Sequence, residues 1–247
     1  MNVARRLFEY RLDEAANVDE SSLLLTTELG LFDQIDQLMI DFLNRQDALR
    51  LGESKYYALC SLARTQLLKA CNSMLRHHIS DAFAAMRLAT DAALFSMMMS
   101  NGMLSENDYL TNVRARDDAV RLLGKRIKAG EILPPILLAV RKVRSDHSSH
   151  AHADPIALAK RITHFPDGSI QYSGFQQMDD ANDFRYFFMG MLWVGGMCFR
   201  AFLHIQETEF GEDVSSFLAR LNVSKAELHS RRRAIGVFPD RGDDEGF

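Results

Sequence analysis

The chain has 247 residues, 47% of them hydrophobic, and a formal net charge of −4. That is enough chain and apolar surface to close a full core, and an acidic total excludes a global positive field that would by itself draw in nucleic acid or anionic lipid. The cysteines, Cys60, Cys71 and Cys198, are odd in number and lack CxxC spacing, while the opening MNVARRLFEYRL has no uninterrupted apolar stretch of the signal-peptide kind. A reducing cytoplasm is therefore the expected compartment.

Taken in order, residues 2–16 read as a first helix, with Val3, Leu7, Tyr10 and Leu12 roughly on one side. A second runs from Asp19 to Leu49, its face drawn by Leu24, Leu31, Ile35, Leu38, Met39 and Phe42 at three-and-four spacing, with Gly30 a weak point in the middle. From Ser54 to Arg76 the sequence Leu59, Leu62, Ala63, Leu67, Ala70, Cys71 and Met74 keeps the same period. His77-His78 follow without a glycine or proline, so the pattern leaves open whether a helix stops there or continues. Ile79 to Ser100 is the next apolar helix, closed by Asn101-Gly102.

Ser105 followed by Asp108 resembles a capping box before a helix that lasts to Ala129 and Gly130. Pro134-Pro135 opens another, which the polar run after Ser145 ends, and Asp154-Pro155 begins a short one over 156–161. Pro166-Asp167-Gly168 is a turn between short alternating segments, which predicts one small β-hairpin near residues 162–175. The last long helix, Asp183 to Glu209, contains Phe187–Phe199, a 13-residue apolar run bounded by Arg185 and Arg200. A membrane-spanning helix needs about 20 such residues, so the centre of a bundle fits better than a membrane, and Gly190, Gly195 and Gly196 would admit close neighbours. A final helical pair follows, Ser224 to Glu227 forming a capping box for its second member. The expected class is all-α, a multi-helix bundle in a single domain over residues 1–238, with a disordered tail at 239–247.

The chemistry concentrates in RKVRSDHSSHAHADP, residues 141–155. His147, His150, His152 and Asp154 put three imidazoles and a carboxylate within eight positions, a set that would take zinc or another divalent ion. HAHAD echoes a piece of the metallo-β-lactamase signature, but Pro155 stands where that signature has its next histidine. As an ordinary helix end, the same histidines would sit where the dipole favours their charged form. A third reading pairs an arginine with a histidine for acid/base work.

The spacing of that pair carries a resemblance. Arg144 followed after five residues by His150 resembles the motif of the HEPN superfamily, helical bundles in which an arginine, four to six residues and a histidine form a metal-independent ribonuclease site. Arg141 and His147 have the same spacing. SDAFAAMRLATDAALF is similar to the helix of HEPN-like abortive-infection proteins that carries an arginine and, four residues on, an acid; in this chain they are Arg87 and Asp91. The likeness covers roughly residues 55–209. It implies an up-down bundle, an endoribonuclease of a bacterial toxin or phage-defence system, no cofactor, RNA as substrate and a homodimer with residues 141–152 at its two-fold axis. Arg144 and His150 would then be catalytic, and Arg141, His147, His152, Arg87 and Asp91 auxiliary. As residue types, Arg87 and Asp91 alone describe an intrahelical ion pair worth a few tenths of a kcal/mol.

Two further readings stand beside it: a non-catalytic helical interaction or regulatory protein, such as one subunit of a defence complex, and a metal-binding protein using the histidine cluster. No phosphate loop, nucleophile elbow or HExxH occurs. The cysteines fall on apolar faces, as buried structural thiols do.

Overall fold

The computed structural model describes residues 3–45, 52–151, 162–164, 169–172 and 181–235. It is mostly helical. In chain order the helices are α1 (Val3–Leu24), α2 (Thr26–Leu43), α3 (Ser54–Leu75), α4 (Ile79–Ser100), α5 (Glu106–Thr111), α6 (Val113–Lys128), α7 (Pro135–Ala151), α8 (Ala181–Phe210) and α9 (Ser215–Ile235). Between α7 and α8 the strands β1 (Ile162–His164) and β2 (Ile170–Tyr172) pair antiparallel, Ile162 opposite Tyr172. The expected helix at 156–161, the turn Pro166-Asp167-Gly168 and the tail at 239–247 lie outside the described residues.

α8 is the centre of the bundle and packs on α2, α3, α4, α7 and α9, while α4 lies across α3 and α7. Both α4 and α8 are long and apolar enough to cross a membrane by length and composition alone; 78% and 72% of their apolar windows are buried inside the fold. Their side chains are apolar all round because neighbours surround them. Phe188, Leu192, Phe199, Phe202 and Ile205 of α8 meet Leu31, Phe42, Leu67, Met86 and Leu94 in one core. An alanine-sized side chain at Gly195 would make ordinary van der Waals contact with Leu67 at 3.5 Å and Ile35 at 3.6 Å, which leaves no room for a larger one where α8 meets α2 and α3. Gly190, by contrast, faces open space.

Several boundaries differ from the sequence reading. α1 runs through residues 17–18 and bends at Leu25, which is fully buried. The hydrogen-bond ladder barely breaks there, for Leu25 donates to the Ser21 carbonyl at 2.9 Å and Leu29 to that of Leu25 at 2.8 Å. Arg185 of α8 donates to the Leu24 carbonyl at 3.1 Å and covers the bend. The helix expected from Ser105 to Ala129 is two, split at Asn112. Ser105 does cap α5, accepting the Asp108 amide at 3.0 Å; Asn112, in extended conformation, then caps α6 by accepting the Ala115 amide at 3.2 Å. At the other end the expected pair is one helix. Ser224 lies inside α9, its hydroxyl bonded to Gln34 at 3.1 Å, so it starts nothing.

His77 separates α3 from α4. Its φ is 61°, the left-handed region, and the bonds from His77 to the Met74 carbonyl and from His78 to the Ser73 carbonyl, both 2.8 Å, complete the double closure that a glycine usually makes after a helix.

Candidate functional site

α7 continues as helix to Ala151 instead of dissolving after Ser145. Nothing in SDHSSHA forbids this, since it holds neither glycine nor proline. Helical geometry then places positions 144 and 150 about 9 Å apart along the axis and about 120° apart around it, with position 147 one turn from each. The backbones of His147 and His150 belong to α7; their side chains, and His152 and Asp154 entirely, lie outside the described residues.

Arg144 is the fixed point. Its Nε donates to one oxygen of the Asp91 carboxylate on α4, and Arg87, one turn before Asp91, donates to the other at 3.2 Å. Arg87 also donates to the Arg144 backbone carbonyl at 3.3 Å. Two guanidinium groups therefore share one acid. The three side chains are 19% to 22% exposed, neither buried nor freely solvated, so their charges are screened less than those of a surface pair. The group as a whole carries one surplus positive charge. Among the described residues no other hydrogen bond leaves the Arg144 guanidinium, whose remaining N–H groups are the fork that suits phosphate.

A second layer comes from α5 and α6. The Tyr109 ring lies against Phe95 of α4 at 5.6 Å, and the Arg116 guanidinium stands over Tyr109 at 5.6 Å. Burial pushes the Tyr109 hydroxyl above its ordinary value of 10.0; Arg116 opposes this and the Asp91 charge adds to it. The Arg116 Nε is buried and has no hydrogen-bond partner among the described residues. Arg141, one turn before Arg144, brings its guanidinium to 3.6 Å from the position a side chain would take at Gly124 of α6. The Arg141 side chain thus reaches from α7 to the surface of α6.

His77 and His78 form a separate cluster at the α3–α4 turn. His77 shares a hydrogen bond with Ser21 of α1 at 3.0 Å and sets its ring on Phe184 at 5.0 Å. His78 meets the Tyr10 hydroxyl at 2.9 Å and lies 3.3 Å from Glu14. Burial holds His77 below its ordinary pKa, Glu20 pulling upward and His78 downward. These histidines tie α1 to the turn.

The three cysteines are buried and unpaired. Burial drives Cys71 and Cys198 up to about 12, and Cys60 upward as well, so none offers a thiolate at neutral pH. Among the described residues no group of three or more His, Cys, Asp or Glu could hold a metal ion; the set His147, His150, His152 and Asp154 falls outside that statement.

Of the residues singled out from sequence, Arg87, Asp91 and Arg144 are thus brought together, and Arg141, one turn earlier on α7, lies beside Gly124 of α6. Tyr109 and Arg116 were not singled out. The signal available for Arg116 was the arginine density of VRARDDAVR; Tyr109, in ENDYLT, had none. Compared with protein-family models, curated proteins and solved structures, the chain matches none.

Proposed function

We propose that the protein is a HEPN-like, metal-independent endoribonuclease of a toxin or phage-defence type, working in the cytoplasm as a homodimer. One observation carries the reading. The two segments on which the resemblance rests are 53 residues apart in the chain, and their charged residues meet at a single carboxylate, Asp91. In this reading Asp91 orients Arg144 by its Nε and leaves the outer N–H pair to hold a scissile phosphate and stabilise the charge that builds on its oxygens. His150, about 9 Å further along α7 and about 120° around it, takes the proton of a ribose 2′-OH or gives one to the departing 5′ oxygen, since an imidazole titrates near working pH. Arg87 holds α7 against α4 through the Arg144 carbonyl, and His147 and His152 serve as auxiliary bases.

RNA incubated with purified protein in chelator tests it. Cleavage that survives chelator and disappears in His150→Ala supports the reading. If His147→Ala abolishes cleavage and His150→Ala does not, the pairing is Arg144 with position 147. Cleavage lost to chelator favours the histidine cluster as a metal site. Inert wild-type protein that runs as a monomer removes the ribonuclease reading.

A second reading has its own observation. Arg87 and Arg144 are each already bonded to Asp91, which is what a bridge holding α4 to α7 requires, and a non-catalytic interaction or regulatory protein needs nothing more from them. Under that reading replacement of Asp91 changes stability alone.

A further inference from the structure

Charge is placed unevenly along the chain. Between residues 113 and 144 stand nine lysines and arginines against three acids, a formal +6 that leaves −10 for the remainder of a chain totalling −4. Most of the surplus belongs to α6. Its buried side is Ala119 and Leu123. At about 100° per residue, Arg114, Asp118, Arg121, Lys125 and Lys128 fall within about 80° of one another on the opposite side, and all five are exposed. Asp118 pairs with Arg121 at 3.1 Å, whereas Arg114, Lys125 and Lys128 make no ion pair among the described residues.

Folding does not account for this stripe. Lys125, Arg126 and Lys128 complement the dipole in the last turn of α6. Arg114 and Arg116 stand at the opposite end, where the first turn has no acid and the dipole disfavours cations. Arg121 and Lys125 repel at i,i+4. A membrane-surface helix would need one apolar side to insert, yet Ala119 and Leu123 of α6 are buried in the core and the exposed Val113 and Leu122 fall on opposite flanks of the helix. The cations run about 21 Å from Arg114 to Lys128, in a line that several consecutive phosphates of an extended strand can follow. Beside Gly124 the line meets Arg141 of α7, one turn from Arg144.

We infer that Arg114, Arg121, Lys125 and Lys128 form a binding track for the phosphate backbone of single-stranded RNA, delivering it to the 144–150 stretch of α7. The choice of RNA rests on the ribonuclease reading; the track itself rests on the charge placement.

The test is fluorescence anisotropy of a labelled RNA of about 20 nucleotides with full-length His150→Ala protein, which keeps the RNA intact if that histidine is catalytic. Two quadruple variants carry the same charge change: R114Q/R121Q/K125Q/K128Q on α6, and R5Q/R11Q/K69Q/R233Q elsewhere, all at exposed positions. Circular dichroism and melting temperature establish that both fold. The α6 variant is expected to bind roughly tenfold or more weakly at low salt, its salt slope shallower by about 3, each phosphate contact to a single strand contributing about 0.7. The distal variant is expected to bind like the parent. This pattern supports the track whether or not any RNA is ever cut, so failure of the ribonuclease reading is read separately, in the cleavage assay. Equal weakening by both variants, unchanged binding by the α6 variant, or binding to an acidic protein or anionic vesicles with none to RNA, each overturns it.

Discussion

Arg144 on α7 and Asp91 on α4 are 53 residues apart in sequence and joined Nε to carboxylate in the fold, with Arg87 on the second carboxylate oxygen. Removing the acid takes the shared carboxylate away from two partly buried guanidinium groups. Asp91→Ala is expected to lower unfolding free energy by about 1–2 kcal/mol, the low part of the range because all three groups keep some solvent. Asp91→Asn, which retains an acceptor, should lose less. A double-mutant cycle with Arg144→Ala, followed by urea denaturation, should return a coupling of at least about 0.5 kcal/mol. Additive losses would mean that the pair does not bind α4 to α7.

The His77 turn separates backbone strain from side-chain contact. His77→Ala keeps the left-handed φ of 61° and loses the bond to Ser21 and the ring contact with Phe184. His77→Gly loses the same contacts and relieves the strain. The glycine variant should therefore be the more stable of the two by about 1 kcal/mol. Equal midpoints in urea would show that the turn holds no strain.

Acid sensitivity should have a definite sign and window. Burial holds His77 and His204 below the ordinary value of 6.5, helped at His204 by Arg200 and opposed by Glu207. The unfolded chain then binds protons more readily than the folded one. Stability from these groups is complete above pH 6.5, falls as pH drops through 6.5 towards the folded pKa values, and levels off below them. Asp41 and Asp213, both held below 3.8, act only at lower pH. The urea midpoint measured from pH 8 to pH 5 should decline below about 6.5, and the decline should be shallower in His204→Gln. A flat profile would rule out both histidines as contributors.

Two helical glycines should respond in opposite directions. Gly30 is exposed in α2, and a methyl group added there would meet nothing within 4 Å, so Gly30→Ala should stabilise by about 0.5–1 kcal/mol. Gly195 faces Leu67 at 3.5 Å and Ile35 at 3.6 Å, and Gly195→Leu should destabilise by about 1–3 kcal/mol through overpacking. Melting temperatures that move the same way for both would contradict the packing described around α8.

The long apolar helices were legible because burial on all sides leaves an unmistakable composition. α4 ends at Ser100, as its apolar run and Asn101-Gly102 indicate, and α8 holds most of the Phe187–Phe199 run in the core, with Phe187, Gly190 and Trp193 only partly buried. What sequence could not show were features whose cause is tertiary. Leu25 bends a chain that has no breaker there, with its side chain buried and Arg185 covering the carbonyl before it. Ser224 followed by Glu227 has the letters of a capping box, but the Ser224 hydroxyl finds Gln34 across the bundle instead. Asn112 was in principle readable, being a good N-cap residue ahead of a new helix. In the candidate site the Arg87–Asp91 pair follows from i,i+4 spacing alone, whereas the approach of Arg144 to it depends on how α7 folds back across α4, and no local pattern encodes that.

The attachment of α1 sets an order of events. Among its described side chains only Ser21 is fully buried, while Phe8 at 63%, Leu12 at 54% and Leu23 at 80% face solvent. Much of its hold is polar, through Tyr10 and Glu14 to His78 and Ser21 to His77. A segment held this way exchanges its amide hydrogens by local release, at a cost well below that of global unfolding. When α1 leaves, the left-handed turn at His77 loses the bond to Ser21 that offsets its strain. The first step of unfolding thus loosens the hinge between α3 and α4, and amides at 76–79 should exchange in step with those of α1.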